Sequence, residues 1–467
     1  MKTSTKFSVS LGLFLFTVGF SLVSTNSCTS KVEISDTFLT AGPGGTYQAP
    51  PVRTFPSNPS VIQKWIDDTD LSMIRQHGWD IWESITTNTG NPDNLPVWET
   101  WYSGHELFEM GVKSKNQRAE FRDFEFPKQS THFSNLNDIP TDPKERPTSF
   151  NRYSRSLAEV IWDKGYNKLS TLNSIKASFD KNNTPTDKRD IITSIDSTDD
   201  QSFSLKPVFQ FISGDEPTAL PYWAGVSPMT TDDLTNPEPH TWRQCVVIDP
   251  TGKLKPGDTH RMKCNNVVDD WNVVDINSIY NIKFTQEEVD NFSRFALVNN
   301  DDVGANSQTD SASISEMVKV GNYALLMAMH VTGKEIVNWT WQTFYWSPKP
   351  VSSPYGKDRP VTIANPWSNY DMKTAYFMVY PPKDPRGEPH IAYNPYLETN
   401  LHGNFISSNN DTIPWFGVFS NCMSCHRMAA IDGGQYTSGG FISKSNESLF
   451  KKAVRTDFLW SIPVRAN

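Results

Sequence analysis

Apolar residues recur at helical spacing early in the chain, at Val61, Ile62, Trp65 and Ile66 and then Met73, Ile74, His77, Ile81 and Trp82. His77 falls on that apolar face, where a hydrogen-bonded core or rim histidine is the ordinary role. A second helix is predicted over residues 154–179. Beyond a polar boundary at 180–203 the period changes from helical to alternating, and 206–212 and 241–248 read as strands. Thr285 followed by Glu288 is a capping-box signature that opens a helix running to Phe295. Residues 323–332, bounded by Gly321-Asn322 and Gly333-Lys334, read as one arm of a hairpin, with 338–346 returning. Strict alternation sets Tyr323, Leu325, Met327 and Met329 on one face, and Ala324, Leu326, Ala328 and His330 on the other. One more strand is expected at 375–380 and a short helix at 447–454. The pattern describes an α+β protein with an N-terminal helical, Trp-rich region over 61–200 and a central β-rich domain over 201–400.

Composition alters this picture at the N-terminus. Lys2 and Lys6 precede an apolar run from Leu11 to Val23 and then small polar residues. That order of charged and apolar regions is the form of a secretory signal over 1–27. The run is shorter than the roughly 18–20 residues that span a bilayer. Cys28 follows at the place where bacterial lipoproteins carry their acylated residue, with Thr25-Asn26-Ser27 resembling a relaxed lipobox; simple cleavage leaving a thiol is the alternative. Residues 28–60, rich in Pro and Gly, suit a tether. The expected place is the bacterial periplasm or outer membrane, with membrane contact only through a lipid anchor.

The formal net charge is −9, and losing the leader makes it more negative. An acidic chain without a basic run argues against nucleic acid and favours a protein partner with a basic docking face. The loop holding Asp301, Asp302 and Asp310 lacks the EF-hand spacing and reads as a solvated acidic loop. Of the 5 cysteines, Cys245 and Cys264 flank the turn sequence Asp249-Pro250-Thr251-Gly252. A disulfide closing that loop is expected in an oxidising compartment, with two buried thiols as the alternative.

The stretch Cys422-Met423-Ser424-Cys425-His426 has the form Cys-x-x-Cys-His of c-type haem attachment. Its two thiols can each bond one haem vinyl group, and the next residue, His426, can ligate the iron from one side. A structural zinc site needs four ligands, and no second Cys-x-x-Cys is present. A dithiol redox pair needs no histidine after it, although the apolar run from Trp415 to Phe419 suits one. The expected cofactor is a single covalent haem c held by the segment 401–467.

Small soluble cytochromes c begin with this motif and take a methionine ligand from downstream. Here Met428 lies too close to His426 to cross the haem, and no histidine follows. A second ligand therefore comes from upstream, with the C-terminal segment packed on the β-rich domain rather than forming a free-standing small cytochrome c fold. The candidates are Met327, Met329, His330, Met372, Met378, His390 and His402. His330 is the choice, because alanines on its face leave room for a porphyrin; a histidine hydrogen-bonded within the sheet is the alternative.

Several motifs carry a resemblance: Trp79-Asp80-Ile81-Trp82, Trp98-Glu99-Thr100-Trp101, His330-Val331-Thr332-Gly333-Lys334, the stretch from Asn338 to Phe344, the Cys-x-x-Cys-His, and Thr456-Asp457-Phe458-Leu459-Trp460. Together they look like a family of large single-haem bacterial cytochrome c proteins. A weaker likeness is to the hydroxylamine-oxidising mono-haem cytochromes, which also place the motif and an Asp-aromatic tail at the end of a β-rich fold. The resemblance implies haem binding, electron transfer and export, and no particular substrate.

Two functions compete. One is an exported electron carrier with a six-coordinate haem. The other is a haem enzyme with an open iron position acting on a small nitrogen compound or peroxide, which the chain length favours. Its acid–base candidates are scattered, such as His105-Glu106 and His402. A carbohydrate-binding module built on the 15 tryptophans is a third reading.

Overall fold

The computed structural model describes residues 58–89, 95–110, 147–191, 202–223, 242–298, 314–349, 355–377, 394–397, 403–406, 412–415, 422–432 and 443–467, with Arg122, Phe124 and Ser353 between them. The leader, Cys28, the tether up to residue 57, Met378, His390, His402 and the acidic and Gly-rich loops lie outside the described residues. No described helix is long and apolar enough to cross a membrane.

The first apolar periodicity resolves into two helices, α1 (Pro59–Asp67) and α2 (Leu71–Thr86). Each begins on a side-chain cap, Asn58 accepting from the Ser60 amide and Asp70 from that of Met73. Thr69 between them has φ 55°, which ends the first helix. Val61 and Met73, expected on the apolar face, are exposed, whereas Ile74, His77, Ile81 and Trp82 are buried. The helix expected over 154–179 is likewise two. After the short α3 (Gly104–Phe108) come α4 (Arg155–Lys164) and α5 (Leu169–Lys181), separated at Gly165. At φ 68° this glycine caps α4 in the left-handed conformation, and its N–H reaches Ile161 and Trp162. The predicted capping box opens α6 (Gln286–Val298), with Thr285 and Glu288 bonded reciprocally.

Among the described residues the main sheet has eight strands: β1 (Tyr102–Ser103), β2 (Thr148–Ser149), β3 (Arg152–Tyr153), β4 (Phe203–Ile212), β9 (Asn281–Lys283), β10 (Tyr323–Gly333), β11 (Thr340–Trp346) and β12 (Tyr370–Thr374). Strands β5 (Thr218–Pro221), β6 (Cys245–Ile248), β7 (Thr259–Cys264) and β8 (Val267–Val274) form a second sheet. The main path runs β1-β3-β4-β10-β11-β12, with β2 beside β4 and β9 beside β10. It therefore draws strands from both the 61–200 and the 201–400 stretches. The predicted hairpin is β10–β11, antiparallel with His330 opposite Thr343 and Thr332 opposite Trp341. The strand expected at 375–380 lies earlier, as β12, because pairing with β11 ends at Gln342–Thr374.

The register of β10 on β4 shifts between Leu326 and Ala328, leaving Met327 as an extra residue. This bulge corrects the facial assignment from simple alternation. Ala324 and Leu326 pair with Phe211 and Phe209, whereas Ala328 and His330 pair with Val208 and Lys206, which point the other way. Only Ala328 of the two alanines shares the face of His330.

One face carries Phe203, Leu205, Phe209, Met329, Val331, Phe344 and Met372, and α2 packs on it. Trp82 stacks on Phe344 with centroids 4.1 Å apart. Beneath α2, His77 lies between the Tyr376 hydroxyl at 2.6 Å and the Glu335 carboxylate at 3.0 Å. Glu335 also accepts from Thr340, and Tyr376 from Gln342. With Gln342 donating to Tyr376, the tyrosine gives its proton to His77 Nδ1, and His77 Nε2–H donates to Glu335. His77 is thus the hydrogen-bonded core histidine that its place on the helix suggested.

The opposite face is more polar and carries Ser204, Lys206, His330, Thr332, Trp341, Thr343, Lys373 and Asp371. Burial raises the Asp371 carboxyl to about 6, against the opposing pulls of Ser353, Arg359 and Lys373. A carboxyl raised on folding stabilises the fold below its unfolded value near 3.8, and the contribution fades as pH rises through 6. It is worth about 3 kcal/mol. Asp371→Asn, which mimics the protonated form, is expected to gain on wild type by that amount between pH 4 and pH 7, measured by urea unfolding at each pH. A mutant-to-wild-type difference that does not change with pH would contradict this.

In the second sheet Cys245 and Cys264 are joined by a disulfide, as the flanked turn suggested. Asp249 accepts from Thr251 and from the Leu254 amide, and Gly252 supplies φ 70°. The bridge staples β6 to β7 on either side of β8, around Val247, Trp271 and Val273.

Candidate cofactor-attachment site

The Cys-x-x-Cys-His stretch forms one short helix, α7 (Cys422–Arg427). Helical spacing puts Cys422 and Cys425 on one face, about 5–6 Å apart at their Cβ atoms. Cys422 is half-buried and Cys425 buried. Met423 faces inward and is fully buried, packing with Leu157, Trp339, Trp341 and Phe458. The motif is therefore seated on the β10–β11 hairpin and on α4.

The His426 ring is fixed from one side. Its Nδ1 donates to the Phe458 carbonyl at 2.7 Å, and the Trp341 ring lies 4.4 Å away, centroid to centroid. Among the described residues Nε2 has no hydrogen-bond partner. Burial pulls the imidazole down to about 4; the Phe458 hydrogen bond opposes this, and the charges of His330 and Lys206 add to it. The ring is therefore neutral at pH 7, the state in which histidine ligates a metal. A ligating histidine ordinarily gives its other N–H to a carbonyl or carboxylate, which fixes its tautomer and orientation.

His330 stands on the polar sheet face, within electrostatic reach of His426. Its Nδ1 is 2.8 Å from the Thr343 hydroxyl, which accepts from Asn394 at 2.6 Å. Met329 and Met372 point to the α2 side of the sheet, away from Trp341, and Met327 is the buried bulge residue. His330 is thus the described candidate on the same face as the ring packed against His426. The His105-Glu106 pair is engaged in local contacts. Glu106 closes a capping box with Ser103, and His105 pairs with Glu109 along α3.

The turn presenting Phe458 is strained. Asp457 and Phe458 have φ of 49° and 70°, and neither is glycine. Such residues cost roughly 1–3 kcal/mol each and persist only when their surroundings hold them. Asp457 accepts from Lys334 at 2.7 Å and from Trp339 Nε1 at 3.2 Å. Arg427 lies over the Phe458 ring and donates to Asn338.

Sequence reasoning missed Lys206 and the Phe458 carbonyl, and held Lys334 and Asp457 only as members of resembling motifs without a role. Lys206 occupies a polar position of an alternating strand and so gave no signal. A backbone carbonyl leaves none. The donor set suits a covalent haem: two thiols on one helical turn, and a neutral imidazole with its Nδ1 occupied and its Nε2 available. Among the described residues no group of three or more His, Cys, Asp or Glu side chains forms a metal-ion site. Comparisons with protein-family models, with curated proteins and with solved structures return no match.

Proposed function

We propose that this chain is an exported c-type cytochrome that carries one covalent haem and transfers single electrons, of the large single-haem kind that its motifs resemble. The observation carrying this reading is the His426 ring held at Nδ1 by the Phe458 carbonyl, next to two thiols on the same helical turn. When bound, haem supplies a reversible one-electron iron couple. The protein's part is to hold and orient it. Cys422 and Cys425 would anchor the macrocycle, His426 would ligate the iron through Nε2, and His330 would supply the second iron ligand, its ring steadied by Thr343 and, through Thr343, by Asn394. The C-terminal segment then serves as a haem-bearing piece seated on the polar face of the main sheet.

A six-coordinate carrier predicts a low-spin resting spectrum that cyanide, hydroxylamine and peroxide leave unchanged. The measurement is the absorption spectrum of protein matured in a periplasm, before and after each addition. A high-spin spectrum, or one that shifts with any of the three, would overturn the carrier and support an enzyme with an open iron position.

A further inference from the structure

The strongest arrangement not yet assigned a role is the buried group Lys334, Trp339 and Asp457 behind His426. Asp457 and Phe458 form consecutive left-handed residues, and Trp339 opposite them also has φ 61°. The Asp457 carboxylate takes both oxygens to Lys334, at 2.7 and 2.9 Å, and one to Trp339 Nε1. Lys334 in turn donates to the Val337 carbonyl at 3.1 Å, inside the loop joining β10 and β11. All three residues are buried. The Thr456 amide donates to Ala429 and the Thr456 hydroxyl to the Leu459 carbonyl, which fixes the turn from its other end. The hydrogen bond from this turn to the haem motif is the one from His426 Nδ1 to the Phe458 carbonyl.

We infer that Asp457 is a positioning residue for His426: clamped by Lys334 and Trp339, it holds the strained turn whose Phe458 carbonyl orients the imidazole and thereby sets the potential of the bound iron. This rests on the haem reading above. A carbonyl accepting from Nδ1–H makes the ring a more basic ligand, which favours the oxidised iron. Releasing the turn weakens that bond and moves the midpoint potential upward.

The experiment compares the midpoint potentials of haem-loaded wild type, Asp457→Asn and the double variant Asp457→Asn with Lys334→Met. Asparagine tolerates the left-handed conformation, so the substitution removes the ion pair and one of the two acceptor oxygens, which weakens the clamp, and keeps the backbone preference. The inference expects an upward shift in the single variant that persists in the double, where no buried lysine charge remains uncompensated. A potential that returns to the wild-type value in the double variant would mean that the lysine charge alone acted, and would overturn it. If the charge variants do not accumulate, Trp339→Phe removes one donor and leaves the charges, and should shift the potential the same way by less. An unchanged potential in Trp339→Phe would overturn the inference as well. Wild type that acquires no haem would instead sink the reading beneath it, so the two failures are distinguishable.

Discussion

In His330→Ala the iron is expected to lose its sixth ligand and pass from low spin to high spin. Added imidazole should restore the low-spin spectrum by filling the space the side chain leaves. His330 shares the sheet face of Trp341, against which His426 packs, and Met329 and Met372 are turned toward α2. Thr343 and Asn394 hold its ring at Nδ1, so the mutation removes a fixed ligand and not a mobile one. Haem should stay attached, because Cys422, Cys425 and His426 are untouched. A low-spin spectrum indistinguishable from wild type would exclude His330.

Glu335→Ala should destabilise the described core. It takes from the buried His77 Nε2 its carboxylate acceptor and leaves the Thr340 hydroxyl only the longer bond to the Gly333 carbonyl, at 3.4 Å instead of 2.7 Å. Leaving a buried neutral donor without its acceptor costs about 1–3 kcal/mol. Glu335→Gln keeps the shape and one acceptor and should cost less. Urea unfolding of the two variants decides the matter; equal stability of Glu335→Ala and wild type would mean that the network contributes nothing. The carboxylate sits one residue from Lys334, so part of the cost should appear as loosening of the turn at Asp457.

The secondary structure was legible wherever one physical signal dominated. The capping box at Thr285–Glu288, the hairpin around Gly333 and the Cys245–Cys264 loop all rest on local chemistry, and the fold has them where local chemistry put them. The errors came from single residues that interrupt a period. Gly165 divides one predicted helix into two, and Thr69 does the same near the start. The extra residue Met327 turns Ala324 away from His330. A bulge leaves no mark on hydrophobic alternation when both faces of the strand are buried, as they are in β10.

Of the candidate site, the thiols and His426 could be read from spacing alone. Most of their surroundings could not, because Phe458 contributes a backbone atom and Lys206 arrives from a strand far away in sequence; His330 was named only as one of several upstream candidates. The tail motif at Thr456–Trp460 was visible as a resemblance. Its physical role, a strained turn clamped by Lys334, depends on a contact between residues 334 and 457.

The most direct test of the account is peptide mass spectrometry of the chain after maturation in a bacterial periplasm with a c-type haem attachment system. The account predicts one haem adduct per chain, carried on the peptide that contains Cys422 and Cys425. An unmodified peptide with Cys422 and Cys425 joined by a disulfide would contradict it and make the pair a dithiol redox centre.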